Sequence, residues 1–515
     1  MMDINLLAED IVAHGVKRVF GIPGSGETLS LIDALESRGV QFHLSHSEGA
    51  GALMAATVGR LSGSAGVSLS IKGPGLTNAI PGIAAAWFEA FPLVHFTEGY
   101  PPNAPLSKAH KRMDQAALVG PVTKDTRYLV SGGPGFSKIA AFAQSEVPGP
   151  SVVTLAAGGS DADKASFAEV PVVSGDLRSA LELVNRAERP LVIAGTLAHR
   201  SGLQPLLARL GVPVFSTAAT KGIVDECGSN AAGVFTGVGR ELTPEYQLLN
   251  QSDLIVGIGL TAREALATQP FSAPFLAIEA VETSGTAAFA PTAHVHIDHA
   301  EEILTALQRP TWGLEQLAKV VGTLQARMQE GFLPGSIYHA IERRFDRRAR
   351  IVLDTGYFCT IGEHALRVRD ADLCLMSGQG RYMGTGLPMA LGAALHDSAT
   401  PTVAILGDGG IAMHLAEAKL AAQHRLPLLI VLMTDNSFSS IRTRALKDKL
   451  TQKPLVMDGK GWTAAFEALG LPAQRAENLA AVEASLAAWR PENGPAFLEI
   501  PFAPEPYEAM VAGIR

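Results

Sequence analysis

The 515-residue sequence has little cysteine, little charge and no long apolar run. Its three cysteines, Cys227, Cys359 and Cys374, show neither metal-ligand spacing nor the even number of a disulfide framework, which indicates a reducing cytoplasm. No apolar run approaches the roughly 18 residues of a membrane span, and the N-terminus lacks the pattern of a signal peptide. A net charge of −8 argues against nucleic acid binding. We expect a soluble cytoplasmic protein with neither a membrane nor a nucleic acid partner.

Short apolar runs alternate with helix-forming stretches along the chain, which predicts an α/β protein built from doubly wound parallel sheets. The length favours about three domains. A charged fraction of 18%, below the roughly 25% of typical soluble chains, indicates extensive burial within domains or between subunits. We predict domains at residues 1–160, 176–312 and 335–505. A polar, small-residue linker precedes the second domain, and a helical connector precedes the third.

Residues 406–438, LGDGGIAMHLAEAKLAAQHRLPLLIVLMTDNSF, contain a helix-like stretch between two strand-like runs. The runs PTVAIL and LPLLIVLM have the pattern of buried parallel strands, and residues 411–424 between them are rich in helix formers. Neighbouring parallel strands end at the same edge of their sheet, where ligands of doubly wound folds bind. We therefore expect Asp408, after the first strand, to meet Asn436, after the second.

Asp408 and Asn436 offer a carboxylate and an amide oxygen without a cysteine or histidine beside them, so the pair suits magnesium better than zinc. Magnesium takes its remaining ligands from phosphate and water, which implies a phosphorylated cofactor. The glycines around Asp408, which are Gly407, Gly409 and Gly410, would let the backbone approach that phosphate. For the Gly-Asp-Gly motif alone, the alternative is a tight turn with a helix-capping aspartate.

These features resemble the diphosphate and magnesium signature of thiamine diphosphate enzymes. Further segments resemble the same family; they are VKRVFGIPGSGETLSLIDAL, VQFHLSHSEGAGALMAATVGRLSG, VSLSIKGPGLTNAIPGIAAAWFEAFPLV and MSGQGRYMGTGLPMALGAAL. The motifs and their order are closest to the acetohydroxyacid synthase and 2-oxo acid decarboxylase branch. The resemblance implies a thiamine diphosphate-binding fold with pyrimidine-binding, middle and diphosphate-binding domains.

The resemblance assigns roles to individual residues. Glu48, which follows a short strand and opens a helix, binds the pyrimidine and favours the tautomer that activates the thiazolium. Met383 occupies the position of the apolar residue that folds the two cofactor rings together. The alternatives are an exposed first-turn acid for Glu48 and an ordinary core methionine for Met383. The other implied cofactor-binding residues, with Asp408, Asn436 and Phe438 as metal ligands, are Gly73, Pro74, Gly75, Asn78, Gly407, Asp408, Gly409, Gly410, Asn436, Phe438 and Ser439.

Departures from the family pattern bear on the reaction. Ala90 stands where the benzoylformate decarboxylase type has a catalytic histidine, and His110 stands where pyruvate decarboxylases have an adjacent pair. His110 remains a candidate catalytic residue, with a structural role as the alternative. Without the usual acid, transfer of the enamine to an acceptor carbonyl is favoured, as in an acetolactate synthase-like carboligase. The alternatives are a simple 2-oxo acid decarboxylase or carbon–carbon lyase, and a non-catalytic cofactor-binding relative.

Arg442 stands where simple pyruvate decarboxylases place a glutamate, and a guanidinium binds carboxylate, phosphonate or sulfonate at two points. We count it as a candidate catalytic residue that predicts a 2-oxo acid with a second anionic group, unless it is a solvated helix residue. The resemblance also implies a homodimer or homotetramer, with each site shared between two chains. Whether the middle domain binds FAD or another nucleotide is left open by the sequence.

Overall fold

The computed structural model describes residues 3–100, 104–105, 107, 110–129, 135–156, 167–282, 289–308, 310–457, 459–503 and 505–515. Its contacts form two compact units. The first comprises the chain up to Glu169 with Leu387–Ala399 and His414–Leu426, and the second comprises Val170–Gly386, Thr400–Met413 and Pro427–Arg515. Three six-stranded sheets lie in these units, one in the first and two in the second.

The first unit is built around a parallel sheet. Its strands are β1 (Arg18–Ile22), β2 (Gln41–Leu44), β3 (Gly66–Ser70), β4 (Leu93–Glu98), β5 (Asp125–Leu129) and β6 (Pro150–Leu155). Its helices are α1 (Ile4–Ala13), α2 (Glu27–Glu36), α3 (Glu48–Ser62), α4 (Pro74–Glu89), α5 (Gln115–Val119) and α6 (Phe136–Gln144), with a 3-10 turn at Gly120–Val122. The strand order is β2-β1-β3-β4-β6-β5.

The second unit opens with another parallel sheet. Its strands are β7 (Pro190–Ala194), β8 (Val214–Ser216), β9 (Ala231–Val234), β10 (Leu254–Ile258), β11 (Phe275–Glu279) and β12 (Ala293–His296). Its helices are α7 (Leu177–Arg186), α8 (Thr196–Arg200), α9 (Gln204–Leu207), α10 (Pro244–Leu249), α11 (Ala300–Ala306) and α12 (Leu314–Met328), with 3-10 turns at Ala218–Thr220, Ala262–Glu264 and Ile297–His299. The strand order is β12-β11-β10-β7-β8-β9.

A third parallel sheet follows. Its strands are β13 (Arg350–Leu353), β14 (Cys374–Met376), β15 (Thr402–Leu406), β16 (Leu428–Thr434), β17 (Ala473–Arg475) and β18 (Ala496–Pro501), in the order β14-β13-β15-β16-β18-β17. The remaining helices are α13 (Pro334–Phe345), α14 (Tyr357–Ala365), α15 (Gly386–His396), α16 (Asp408–His414), α17 (Ala418–Gln423), α18 (Ser439–Lys447), α19 (Trp462–Ala468), α20 (Leu479–Ala488) and α21 (Glu505–Val511), with 3-10 turns at Ala371–Leu373, Leu415–Glu417, Lys453–Leu455 and Pro491–Asn493.

The three sheets confirm the predicted α/β class. The first and third have the same strand order when each is numbered from its own first strand, whereas the middle sheet has the order 3-2-1-4-5-6 of dinucleotide-binding folds. Strands such as β4, β10 and β16 are buried along their whole length, because helices cover both faces of a parallel sheet.

The helix predicted over residues 411–424 is wrong as a single element. The chain instead forms α16, a 3-10 turn at Leu415–Glu417 and α17. The physical reason lies at Glu417, which is 1% exposed and accepts hydrogen bonds from the backbone N–H groups of His46 and Ser47, both at 2.9 Å. The Glu417 carboxylate binds this backbone in another part of the first unit, and the helix is interrupted there although the composition of the segment favours a helix.

No helix in the described ranges has the length and apolar character needed to cross a membrane.

Candidate active site

Asp408 and Asn436 meet at the carboxyl edge of the third sheet, as the strand pattern predicts. β15 and β16 pair in parallel, with Leu406 opposite Leu432. The Asp408 carboxylate, which is 4% exposed, accepts hydrogen bonds at 3.1 Å from the N–H groups of both Asp435 and Asn436, and another from the hydroxyl of Thr434. The turn after β16 is therefore fastened to the acid that follows β15.

A pocket of about 530 Å³ opens beside Asp408. Of the residues predicted to bind the cofactor, it is lined by Met383, Gly407, Asp408, Gly409, Gly410, Phe438 and Ser439. Asn436 is not among its lining residues. Its backbone is left-handed, with φ 56°, and its amide oxygen lies against Gly459, where a Cβ atom would collide with it. The structure thus gathers most of the predicted third-domain residues around one space.

In the Gly-Asp-Gly-Gly turn, neighbouring side chains leave no room for a Cβ atom at Gly409 or Gly410. A Cβ atom built on Gly409 would lie 2.5 Å from the Phe438 ring and 2.9 Å from the sulfur of Met383. One built on Gly410 would collide with the Asp354 carboxylate. The backbone of this turn therefore forms part of the pocket wall, as a bound phosphate requires.

The charges in this pocket fit a divalent cation. Burial and, to a smaller extent, the nearby Asp435 carboxylate raise the pKa of Asp408 to about 6, against the opposing effect of its hydrogen-bond donors. Burial also raises the pKa of Asp435. The described residues include no group of three or more His, Cys, Asp or Glu side chains placed for a metal, so an ion at Asp408 would need amide, carbonyl, phosphate or water ligands as well.

Phe438, predicted as a metal ligand, lies at the start of α18. Its carbonyl accepts hydrogen bonds from the N–H groups of Ile441 at 3.0 Å and Arg442 at 2.8 Å. Both bonds belong to the first turn of the helix, so this carbonyl is already engaged. Phe438 also lines the pocket with its ring, beside Ser439.

Met383 lies in a loop that is held at its C-terminal side by Asp354, a residue that the sequence motifs do not single out. Asp354 follows β13 and accepts hydrogen bonds from the N–H groups of Thr355 at 2.8 Å and Gly384 at 2.9 Å. Burial raises its pKa to about 7, against the opposing effect of these donors. Its position directly after an apolar run, RIVL, is the sequence signal that would have found it.

The N-terminal side of the same loop is held by a buried ion-pair cluster. Arg381, with a left-handed φ of 52°, and Arg515 both pair with Glu363 of α14, whose side chain is 0% exposed. Arg515 also donates to the hydroxyl of Thr360 at 3.0 Å. Two guanidinium groups thus share one fully buried carboxylate, and one of them, Arg381, lies just before Met383.

Glu363→Gln is expected to lower the free energy of unfolding by about 3 kcal/mol, because two largely buried cations lose their counter-charge. Urea unfolding followed by fluorescence measures this. The control is Glu483→Gln, which breaks a pair with Arg343 whose side chains are 49% and 61% exposed and should change stability by less than about 1 kcal/mol. Equal effects of the two substitutions would contradict a stabilising role of the cluster.

Glu48 lies in the first unit and is buried, at 7% exposure, so the alternative of an exposed first-turn acid is wrong. It opens α3, where the hydroxyl of Ser47 caps the helix by accepting from the N–H of Ala50 at 3.1 Å. Glu417 holds the backbone just before it. The predicted turn at Gly73–Gly75 lies beside it: a Cβ atom built on Gly75 would be 3.3 Å from the Glu48 carboxylate.

The remaining predicted residues are less closely tied to a cavity. Pro74 and Asn78 are exposed in the first turns of α4. His110 is exposed, and its carbonyl accepts from the hydroxyl of Tyr100 at 3.1 Å. Arg442 donates to Gln452 and to Glu505, each at 3.3 Å, and its side chain is 19% exposed.

Three family models match the chain in succession. They describe the N-terminal TPP-binding domain of thiamine pyrophosphate enzymes at residues 4–118, the central domain at residues 177–308 and the C-terminal TPP-binding domain at residues 354–500. These ranges contain Glu48, the middle sheet and the Asp408 pocket, respectively.

Several curated proteins are similar over nearly the whole chain. AruI of Pseudomonas aeruginosa, named a probable 2-ketoarginine decarboxylase, is 27% identical over 95% of this chain and 91% of its own length. The catabolic acetolactate synthase of Raoultella terrigena is 25% identical over 96% and 94%. The acetolactate synthase of Bacillus subtilis is 24% identical over 96% and 92%. The site and these matches together show that the chain belongs to the thiamine diphosphate-dependent enzymes, in the branch of the acetolactate synthases and 2-oxo acid decarboxylases.

Proposed function

We propose that the protein is a carboligase that decarboxylates a 2-oxo acid and joins the remaining fragment to an acceptor carbonyl, with magnesium holding the diphosphate. The observation that carries this proposal is the lining of the Asp408 pocket. Among its described lining residues there is no histidine, and its acids are Asp408 and Asp435, both beside the diphosphate-binding turn. A lining without a histidine, and without an acid beyond this turn, lacks the usual general acid for protonating the reacting carbon, which favours attack on a second carbonyl over release of an aldehyde.

Bound thiamine diphosphate supplies the nucleophilic carbon and stores the electron pair that carbon dioxide leaves behind. Glu48 would hold the proton at the pyrimidine nitrogen, and Met383 would support the two rings of the cofactor. The apolar lining residues, which include Phe358 and Phe438, would limit the access of water to this electron pair. With the cofactor bound, this pair would be available for a new bond to the acceptor carbonyl carbon, whose oxygen would take up a proton.

Product analysis separates the carboligase from the simple decarboxylase that the name of AruI suggests as the second candidate. The holoenzyme is incubated with a 2-oxo acid, first alone and then with added aldehydes or a second 2-oxo acid. A carboligase gives 2-hydroxy ketone products and little free aldehyde. Free aldehyde formed at the rate of carbon dioxide release, whatever acceptor is present, would instead identify a decarboxylase.

We propose Asp408 and Asn436 as magnesium ligands. Phe438 is a weaker candidate, because its carbonyl is engaged by α18. Both residues of the pair follow adjacent strands, and the two buried carboxylates of Asp408 and Asp435 would favour a bound cation.

The middle domain does not enter the proposed chemistry. In folds with its strand order, pyrophosphate binds at the turn after the first strand. Here that turn is occupied by Glu264, which accepts from the N–H of Thr196 at 3.0 Å and from its hydroxyl at 2.8 Å. A carboxylate that uses these donors also repels a phosphate. The turn after the first strand therefore does not offer the pyrophosphate site of dinucleotide folds, and the proposed cofactors are thiamine diphosphate and magnesium.

Arg442→Ala is expected to raise the KM of a 2-oxo acid with a second anionic group more than that of pyruvate, if this guanidinium leaves Glu505 to bind substrate. Glu505 is 70% exposed, so their ion pair is weak enough to be exchanged. Steady-state kinetics with both substrates measures the ratio. Arg444→Ala, at a 75% exposed side chain on the same helix, is the control. An equal effect on both substrates would leave Arg442 a structural residue.

A further inference from the structure

A second cavity, of about 480 Å³, lies at the carboxyl edge of the first sheet. Three cations line it, Lys72, Lys111 and Arg112, against one carboxylate, Asp114. Tyr100 also lines it, with the Lys72 ammonium 5.7 Å from the centre of its ring. The cavity is therefore polar and positively charged.

Most charged groups around this cavity already have partners. Lys72 pairs with Glu98 at 3.2 Å, and Arg112 donates to the carbonyls of Ala104 and Pro105 at 3.1 and 3.0 Å. Asp114 caps α5 by accepting from the N–H of Ala117 at 2.9 Å. These contacts fix the lining residues of the cavity, whose positive charges still outnumber the negative ones.

Lys111 differs from the other cations. Within the part of the chain that the structure describes, its ammonium makes no hydrogen bond or ion pair, although its backbone is fixed in a left-handed conformation with φ 58°. A Cβ atom built on Gly73 would lie 2.6 Å from the Lys111 carbonyl, so the two backbones are in close contact. Lys111 is exposed at this cavity, so its ammonium is available to a ligand there.

The cavity adjoins the surroundings of Glu48. The turn at Gly73–Gly75 contacts Lys111 through its first glycine and the Glu48 carboxylate through its last. Gln115, which is buried and lines the cavity, fixes this turn by accepting from the N–H of Gly73 at 2.9 Å. A molecule in the cavity is thus separated by one turn of backbone from the carboxylate that activates the cofactor.

We propose that this cavity binds the distal anionic group of the 2-oxo acid donor, with Lys111 as one of the residues that select it. The inference rests on the proposed function and specifies its substrate class: a 2-oxo acid that ends in a second carboxylate, sulfonate or phosphonate. Such a group gains a charge-assisted hydrogen bond from the ammonium. The lysines repel a cationic end, so the donor is of a different class from the 2-ketoarginine in the name of AruI.

The kinetic test compares donors on the holoenzyme. Pyruvate, 2-oxoglutarate, sulfopyruvate and phosphonopyruvate are assayed with Lys111→Gln, Lys111→Arg and the exposed control Lys138→Gln on α6. Lys111→Gln should raise the KM of the best dianionic donor about tenfold more than that of pyruvate, Lys111→Arg should restore most of it, and Lys138→Gln should change neither. The preferred donor identifies the anionic group. An equal change for pyruvate and the dianions would overturn the inference.

A binding test does not depend on turnover. Calorimetric titration of the holoenzyme uses malonate, sulfoacetate and phosphonoacetate, with acetate as the reference. The subsite is supported if one dianion binds more tightly than acetate and if Lys111→Gln, but not Lys138→Gln, weakens that binding. This result would support the subsite even if the enzyme turned over no 2-oxo acid. In that case only the proposed function would fail. If the enzyme releases carbon dioxide from pyruvate but neither test shows a preference for a dianion, the proposed function stands and the subsite is overturned.

Discussion

Glu48→Gln should slow deuterium exchange at the thiazolium carbon of bound thiamine diphosphate by at least about 100-fold, because the amide cannot hold the proton that the pyrimidine nitrogen needs. The substitution keeps the size of a side chain that is only 7% exposed, and Ser47 still caps the helix. Affinity for the cofactor should therefore stay within a few-fold of the original. Exchange is followed by nuclear magnetic resonance and binding by calorimetry.

The matched control is Glu27→Gln, since Glu27 opens α2 as Glu48 opens α3 in the same unit. It should leave exchange and binding unchanged. Exchange at the original rate in Glu48→Gln would show that another group activates the cofactor and would remove Glu48 from the site. A joint loss of exchange and binding would mean that Glu48 acts on affinity rather than on the proton.

The sequence predicted those parts of the site that follow from local patterns. Two buried parallel strands place Asp408 against Asn436, and a short strand before a small-residue helix places Glu48 at a helix start; the structure has both arrangements. The first and third sheets share one strand order, whereas the middle sheet has another. The predicted domain boundaries remain predictions.

The parts that were missed depend on residues far apart in the chain. Glu363, Arg381 and Arg515 form one buried cluster, and no window of sequence contains all three. Glu417 breaks a predicted helix because its carboxylate binds the backbone of His46, 371 positions away. A binding role for Lys111 is indicated only by its backbone contact with Gly73 and by the cavity that it lines. Helix propensity and apolar periodicity carry no information on such pairings.

Asp408→Ala should abolish magnesium-dependent binding of thiamine diphosphate, because the ion loses its anionic protein ligand and tolerates little rearrangement. The substitution also frees the N–H groups of Asp435 and Asn436, which Asp408 accepts from at 3.1 Å. Calorimetry with and without magnesium measures the loss. Binding that persists with its magnesium dependence intact would show that the metal lies elsewhere.

Mixing the two inactive variants then tests the proposed assembly, a homodimer or a dimer of dimers. If each site joins Glu48 of one chain to Asp408 of its partner, a heterodimer of Glu48→Gln and Asp408→Ala has one intact site and one doubly defective site. Equal mixing with random exchange should restore about a quarter of the original activity. A chain with both substitutions, mixed with either single variant, restores none and is the control. If each site lay within a single chain, every site in the mixture would keep one defect, and the absence of recovery after confirmed subunit exchange would exclude the shared site.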